Sequence, residues 1–345
     1  MSNPEPRAVV LGCAGATLTG WERGFFREAD PLGFILFQRN CENPQQVRAL
    51  IAALRDAVGR ADAPVLIDQE GGRVARLKPP HWRRYPAAAK LAGLGGARAL
   101  EAVKLCARLI ADDLVRLGIS VDCAPVLDVP IPGADDIIGD RAYGSTPEEV
   151  ARLGRAACEG LLEGGILPVI KHIPGHGRAG VDSHKALPRV AADRATLERM
   201  DFAPFRALAE MPCAMTAHVL YEALDADLPA TLSPKVIHET IRGTIGFDGV
   251  LISDDLSMQA LGGPLEVRAR DALAAGCDLA LHCNGERPEI EAVVAGTGPV
   301  SPEARRRLAR AETFRRAPPS WDRAAAEHRF KELVSDEAAC TAATS

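Results

Sequence analysis

The sequence predicts an α/β protein built as a single (β/α)8 TIM-type barrel. Three observations carry that expectation. Eight short apolar runs are spaced along the chain, amphipathic segments separate them, and charged or imidazole side chains follow nearly every run. Strict alternation of strand and helix requires a parallel sheet, and eight strands is the number that closes a barrel. The strand candidates are 8–12, 33–37, 64–67, 120–127, 167–170, 213–217, 249–253 and 278–281. Between the second and third, Val47, Leu50, Ile51, Leu54 and Val58 recur at helical spacing. Helix starts are marked by Asn43-Pro44, by Thr146-Pro147 with Glu149 three residues past the cap, and by Ser233-Pro234.

A doubly wound open sheet uses the same alternation but carries a Gly-rich turn after its first strand. Gly12-Cys13-Ala14-Gly15 is only a weak echo of that turn. There are no internal repeats and no low-complexity linkers. The expected organisation is a catalytic barrel over residues 1–318, followed at 319–345 by a helix (321–334) and tail, packed on the barrel or frayed from it.

Composition narrows the function. Of 345 residues, 47% are hydrophobic and 4% aromatic, which suits tight helix–strand layers. The net charge of −5 offers no electrostatic footing for nucleic acid. Cysteines stand at positions 13, 41, 106, 123, 158, 213, 277, 283 and 340. Their odd number, without any CxxC pair, reads as reduced thiols rather than a disulfide framework. Residues 1–7 are polar, and there is no run of about 18 apolar residues. A soluble, cytoplasmic protein is expected, with no nucleic-acid or membrane partner and no required oligomeric partner.

In a barrel, chemistry gathers where strands end. The densest such segment runs from Lys171-His172-Ile173-Pro174-Gly175-His176-Gly177 to Asp182-Ser183-His184. Its glycines predict an irregular loop. Asp182 and His184 are two residues apart, which in an extended segment puts both on one side. A carboxylate on one ring nitrogen fixes the tautomer and leaves the other nitrogen to exchange a proton. A solvated surface loop is the plainer reading. A zinc site on His172, His176 and His184 is a sharper one, although the spacing matches no usual ligand motif.

The second segment, Gly249 to Met258, delivers Asp254 and Asp255 from an apolar strand. Alternation lets only one face the barrel axis, where an ionised carboxylate can attack an anomeric carbon. A helix cap with a solvated aspartate is the alternative. The third is Asp68-Gln69-Glu70-Gly71-Gly72-Arg73 with Arg76, able to chelate hydroxyls or to form a structural Asp–Arg turn. The fourth, Ile138 to Gly144, places Arg141 over a substrate or in solvent.

Together these segments resemble glycoside hydrolase family three, specifically its bacterial exo-β-N-acetylglucosaminidases. The motifs are DQEGGRVARL, IGDRAYG, KHIPGHG with a following DSH, PATLSP and GVLISDDLSM, in that order over nearly the whole chain. The resemblance implies a barrel without the second domain of many relatives. It implies Asp254 as nucleophile, His184 as proton donor with Asp182 as its partner, and Asp68, Arg76, Arg141, Lys171 and His172 as sugar contacts. The implied substrate is N-acetylglucosamine linked β-1,4 to 1,6-anhydro-N-acetylmuramic acid (GlcNAc-anhydro-muropeptides), with no metal and no cofactor. One departure stands out: the family's loop usually reads GHGDT, and here Arg178 and Ala179 follow GHG. A phosphorylase on the same scaffold, a non-catalytic saccharide-binding barrel and a metal-dependent hydrolase remain alternatives.

Overall fold

The computed structural model describes residues 5–316 and 320–335. Eight parallel strands close a barrel in sequential order: β1 (Arg7–Leu11), β2 (Pro31–Leu36), β3 (Val65–Ile67), β4 (Val121–Asp122), β5 (Leu167–Ile173), β6 (Cys213–Thr216), β7 (Val250–Asp255) and β8 (Leu279–His282). β8 pairs back onto β1, with Val10 beside Leu281. All eight apolar runs therefore become strands, because each is buried on both faces. Val10, Ile35, Leu66, Val169, Met215, Ile252 and Leu281 fill the barrel interior. Their neighbours Val9, Leu11, Phe34, Leu36, Ile170, Leu251 and Ala280 pack in the layer under the helices. A fully buried side chain of this size contributes about 1.5–3 kcal/mol.

The expected strand 120–127 is shorter than its apolar run. Only Val121–Asp122 forms a regular ladder, with a further bridge between Val126 and Lys171. Pro125 has no N–H to donate, so the ladder breaks around it.

Helix starts follow the caps. The side chain of Asn43 accepts from Gln46 N–H at 3.0 Å to open α2 (Pro44–Val58), after α1 (Gly20–Ala29). Thr19 and Glu22 form a reciprocal capping box on α1, in addition to the three helix starts expected from the sequence. The long α3 (Gly96–Val115) packs against α4 (Pro147–Glu163), whose Thr146 cap accepts from Glu149 N–H at 3.3 Å. Ser233 Oγ accepts from Val236 N–H at 3.0 Å at the start of a π-type helix, Val236–Ile245.

Below the barrel, α5 (Pro302–Glu312) sends Ala304 and Ala311 into the interior cluster. It is pinned there by Arg307 to Asp278 and by Arg306 to Asp248. The C-terminal helix forms two residues later than expected, as α6 (Arg323–Ser335). It packs on α3 through buried Phe330 and Leu333, an Arg323 contact to Asp112, and Arg108 over the Trp321 ring. The boundary expected at 318 and the tail from 336 lie outside the described residues. Among the described residues no helix is long and apolar enough to cross a membrane.

Candidate active site

The site is assembled at the C-terminal ends of the strands. β3 releases Asp68 directly into a hairpin, Gln69–Gly71 with Val74–Ala75. Gly71 takes φ +97°, and a Cβ there would lie 2.4 Å from the Pro86 carbonyl oxygen, so only glycine fits. The Gln69 side chain accepts from the N–H groups of Arg76 and Leu77, closing the hairpin.

That turn and β5 build a charged lattice. Lys171 Nζ lies 2.9 Å from Asp68 and 2.7 Å from Glu70, with the lysine only 3% exposed. Arg76 donates to the other Asp68 oxygen at 2.8 Å. Arg141 grips Glu70 bidentately, at 2.9 Å on both oxygens. Burial alone would raise both acids, but Lys171 and Arg76 hold Asp68 well below the usual carboxylate range. Lys171 and Arg141 likewise overcome burial to hold Glu70 near pKa 2. Burial opposes the charge of Lys171, yet Asp68 and Glu70 push its pKa above the ordinary lysine value. Three cations on two carboxylates leave one net positive charge beside the cavity.

The next residue, His172, is oriented from behind. The fully buried Asp128 accepts from His172 Nδ1 at 2.7 Å and from the backbone N–H groups of His172 and His176. That fixes the tautomer and leaves Nε2 for the cavity. Burial, then the nearby His172, lowers His176 to a pKa of about 4, so it is neutral at pH 7. Its Nε2 lies 3.2 Å from Ser183 Oγ, and its buried Nδ1 has no partner.

β7 presents Asp254 to the same space. Burial raises its pKa, but His172, His218, the Asp255 N–H (2.8 Å) and Lys171 together bring it below the usual value. Asp255 turns away, as alternation requires, and accepts from Ser257 and from Cys283 N–H.

The loop after β5 has a fixed base. At Gly177 a Cβ would lie 2.0 Å from the Val129 carbonyl oxygen, and Tyr221 OH donates to the Gly175 carbonyl at 2.7 Å. Arg178, the departure from the family's usual loop, donates to the buried Asp201 at 2.6 Å, and Ala179 is buried. The two substituted positions therefore tie down the base. Farther along, Asp182 Oδ1 accepts from both His184 N–H (2.9 Å) and His184 Nδ1 (2.8 Å). The expected pairing forms, but not by extended alternation. Bonds from Lys185 and Ala186 N–H back to the Asp182 carbonyl make this a tight turn.

One cavity of about 330 Å³ is lined by Asp254, His184, Asp68, Arg76, Arg141, Lys171 and His172, with Asp182 behind His184. Glu70, His176 and Ser183 also line it, and Met215 and Cys283 contribute apolar floor. Glu70 and Asp128 were visible as charges past strand ends, but nothing local showed their partners. Among the described residues no group of three or more His, Cys, Asp or Glu is arranged to hold a metal ion. The three histidines of the zinc alternative, His172, His176 and His184, are engaged with Asp128, Ser183 and Asp182 respectively.

A parallel barrel whose mouth presents an ionised aspartate, an imidazole–carboxylate pair and charged hydrogen-bonding groups defines a hydrolase suited to glycosidic bonds. Residues 30–304 match the glycosyl hydrolase family 3 N terminal domain, and the chain belongs to that family. It is 42% identical over 283 residues to a beta-hexosaminidase of Alkalilimnicola ehrlichii, covering 80% of each chain. It is 37% identical to the beta-hexosaminidase of Pseudomonas aeruginosa, over 95% of this chain and 99% of that one. Among solved structures it resembles native NagZ from Neisseria gonorrhoeae, with TM-score 0.82 and 32% identity over 97% and 98% of the two chains. It also resembles a family 3 beta-N-acetylglucosaminidase from Paenibacillus, with TM-score 0.82 and 34% identity over 95% of this chain and 66% of that one.

Proposed function

We propose that this enzyme is a retaining exo-β-N-acetylglucosaminidase. It releases N-acetylglucosamine from its β-1,4 linkage to 1,6-anhydro-N-acetylmuramic acid, with or without peptide, during cell-wall recycling in the cytoplasm. The supporting observation is the shared cavity of Asp254 and His184, one an ionised carboxylate and the other an imidazole oriented by Asp182. The names of its relatives support the sugar. The free state of the eight described cysteines suits a reducing compartment.

In the first step the Asp254 carboxylate attacks the anomeric carbon while protonated His184 gives its Nε2 proton to the departing oxygen. The C1–O bond breaks, an ester to Asp254 forms, and the aglycone leaves as an alcohol. Neutral His184 then takes a proton from water, whose oxygen attacks the same carbon and displaces Asp254. Two displacements give net retention. Asp68, Arg76, Arg141, Lys171 and His172 hold the sugar. Because Asp68 and Glu70 stay ionised, they offer acceptors to hydroxyls, while the arginines and Lys171 offer donors.

Product analysis on a muropeptide mixture, with the anomer followed by NMR, tests the reaction. Asp254→Ala should abolish turnover of N-acetylglucosaminides, and near-normal activity would exclude it as nucleophile. The positive excess beside the cavity also admits phosphate as acceptor. Sugar-1-phosphate formed only with added phosphate would show that second reading.

A further inference from the structure

Behind the nucleophile strand lies a hydrogen-bonded chain of side chains that the proposed chemistry does not use. Thr216 ends β6, His218 follows it, and Thr231 comes from the PATLSP segment. Ala230 N–H on the Val219 carbonyl, at 2.8 Å, brings that segment back against the end of β6. Thr216, His218 and Thr231 are all 0% exposed, and none lines the active-site cavity.

The distances define one continuous path. The Thr216 and Thr231 hydroxyls are 2.7 Å apart, and Thr231 Oγ1 is 2.7 Å from His218 Nδ1. His218 Nε2 is 3.0 Å from the Asp255 carbonyl, and Asp254 N–H points at Thr216 Oγ1 from 3.4 Å. Counting protons settles the directions. A carbonyl only accepts, so Nε2 carries a hydrogen. Burial lowers the His218 pKa, against the pull of Asp254 and Asp255, so the ring is neutral and Nδ1 is an acceptor. The Thr231 hydroxyl also lies 3.1 Å from the Ala217 carbonyl, but an unprotonated Nδ1 at 2.7 Å needs a donor, so Thr231 gives its one proton to Nδ1 and Thr216 donates to Thr231. The free lone pairs of Thr216 receive the Asp254 N–H. Both peptide groups flanking the Asp254–Asp255 pair are held from one side: the N–H of Asp254 and the C=O of Asp255.

We infer that Thr216, Thr231 and His218 form a positioning chain that fixes the backbone of Asp254 and so aims its carboxylate at the anomeric carbon. This rests on the assignment of Asp254 as nucleophile. The chain touches no substrate, so its loss should slow the displacement without weakening sugar binding. A misplacement of the attacking atom on the ångström scale costs up to about a hundredfold in rate.

The experiment compares Thr231→Val, Thr231→Ser, Thr216→Val, the double Thr216→Val/Thr231→Val, and Asp254→Ala on an aryl N-acetylglucosaminide. Thr231→Val is expected to lower kcat about ten- to hundredfold with KM within about threefold of the parent. Thr231→Ser keeps the hydroxyl and should restore kcat to within about threefold. Thr216→Val should reproduce the loss, and the double variant should be no slower than the worse single one, because the chain acts as one unit. Thr216→Val also serves if Thr231→Val does not fold. Normal kcat in either valine variant, multiplying losses in the double variant, or failure of serine to rescue would each overturn the chain. Retained activity in Asp254→Ala would instead refute the nucleophile assignment, whatever the threonine variants do.

Discussion

Replacing Lys171 by methionine tests the charged lattice at its centre. The substitution keeps the volume but removes the ammonium that stands 2.9 Å from Asp68 and 2.7 Å from Glu70. Glu70 has an ordinary pKa of 4.5 and is held near 2 in the fold, where burial is outweighed by Lys171 and Arg141. At about 1.4 kcal/mol per pH unit, its ionisation supplies about 3 kcal/mol of stability. Breaking a buried ion pair from one side costs a similar amount, about 3–5 kcal/mol. For a chain of this length that corresponds to a fall in Tm of about 4–7 °C. The sign with pH follows from the depressed value. The Glu70 contribution is complete above pH 4.5 and is lost as pH falls toward 2, so the parent sheds stability of which the variant, left with only the Arg141 contact to Glu70, has a smaller share. The gap measured by urea denaturation should be full at pH 7 and clearly smaller at pH 3, where Glu70 has lost part of its share while Asp68, held lower still, keeps more of its own. A gap under about 1 kcal/mol at pH 7, or one of equal size at both pH values, would refute the reasoning.

His184→Ala should lose most activity on substrates with poor leaving groups and least on activated aryl glycosides, read from kcat/KM across a leaving-group series. His176 is neutral in the fold, with its pKa lowered to about 4 by burial and by His172. The unfolded chain therefore takes up this proton first, and stability should fall by about 3 kcal/mol as pH drops from 6.5 to 4. His176→Gln should flatten that part of the urea-midpoint profile. Gly177→Ala drives a Cβ to 2.0 Å from the Val129 carbonyl oxygen, whereas nothing lies within 4 Å of a Cβ on Gly180. The first should lower both Tm and kcat, and the second should leave Tm within about 1 °C of the parent. Arg178→Ala leaves the buried Asp201 without its cation and should cost about 1–3 kcal/mol in denaturation, with less loss of activity than His184→Ala.

Much of the barrel was legible because its signals are local. A strand buried on both faces reads as an unbroken apolar run, and a helix start reads as a cap residue followed by proline. Where a local rule failed, another local rule explains it: Pro125 cut the fourth strand short. The Thr19–Glu22 box is equally local, a threonine with a glutamate three residues on. The Asp182–His184 pairing is legible in their spacing, but the backbone that brings them together is a turn and not an extended segment. Asp128 directly follows the apolar run 120–127. Its task, orienting a histidine 44 residues away, had no local trace.

The sequence by itself determined the alternation of eight strands with helices, the caps that start the helices, and which loops carry reactive groups. Periodicity and capping act within a few residues. The tertiary structure decided the charge states and the sharing of protons. Arg141 reaches Glu70 across 71 residues and Lys171 reaches Asp68 across 103. Such distant groups come within 3 Å only when the barrel closes, and burial there strengthens the attraction between opposite charges that holds the acids ionised.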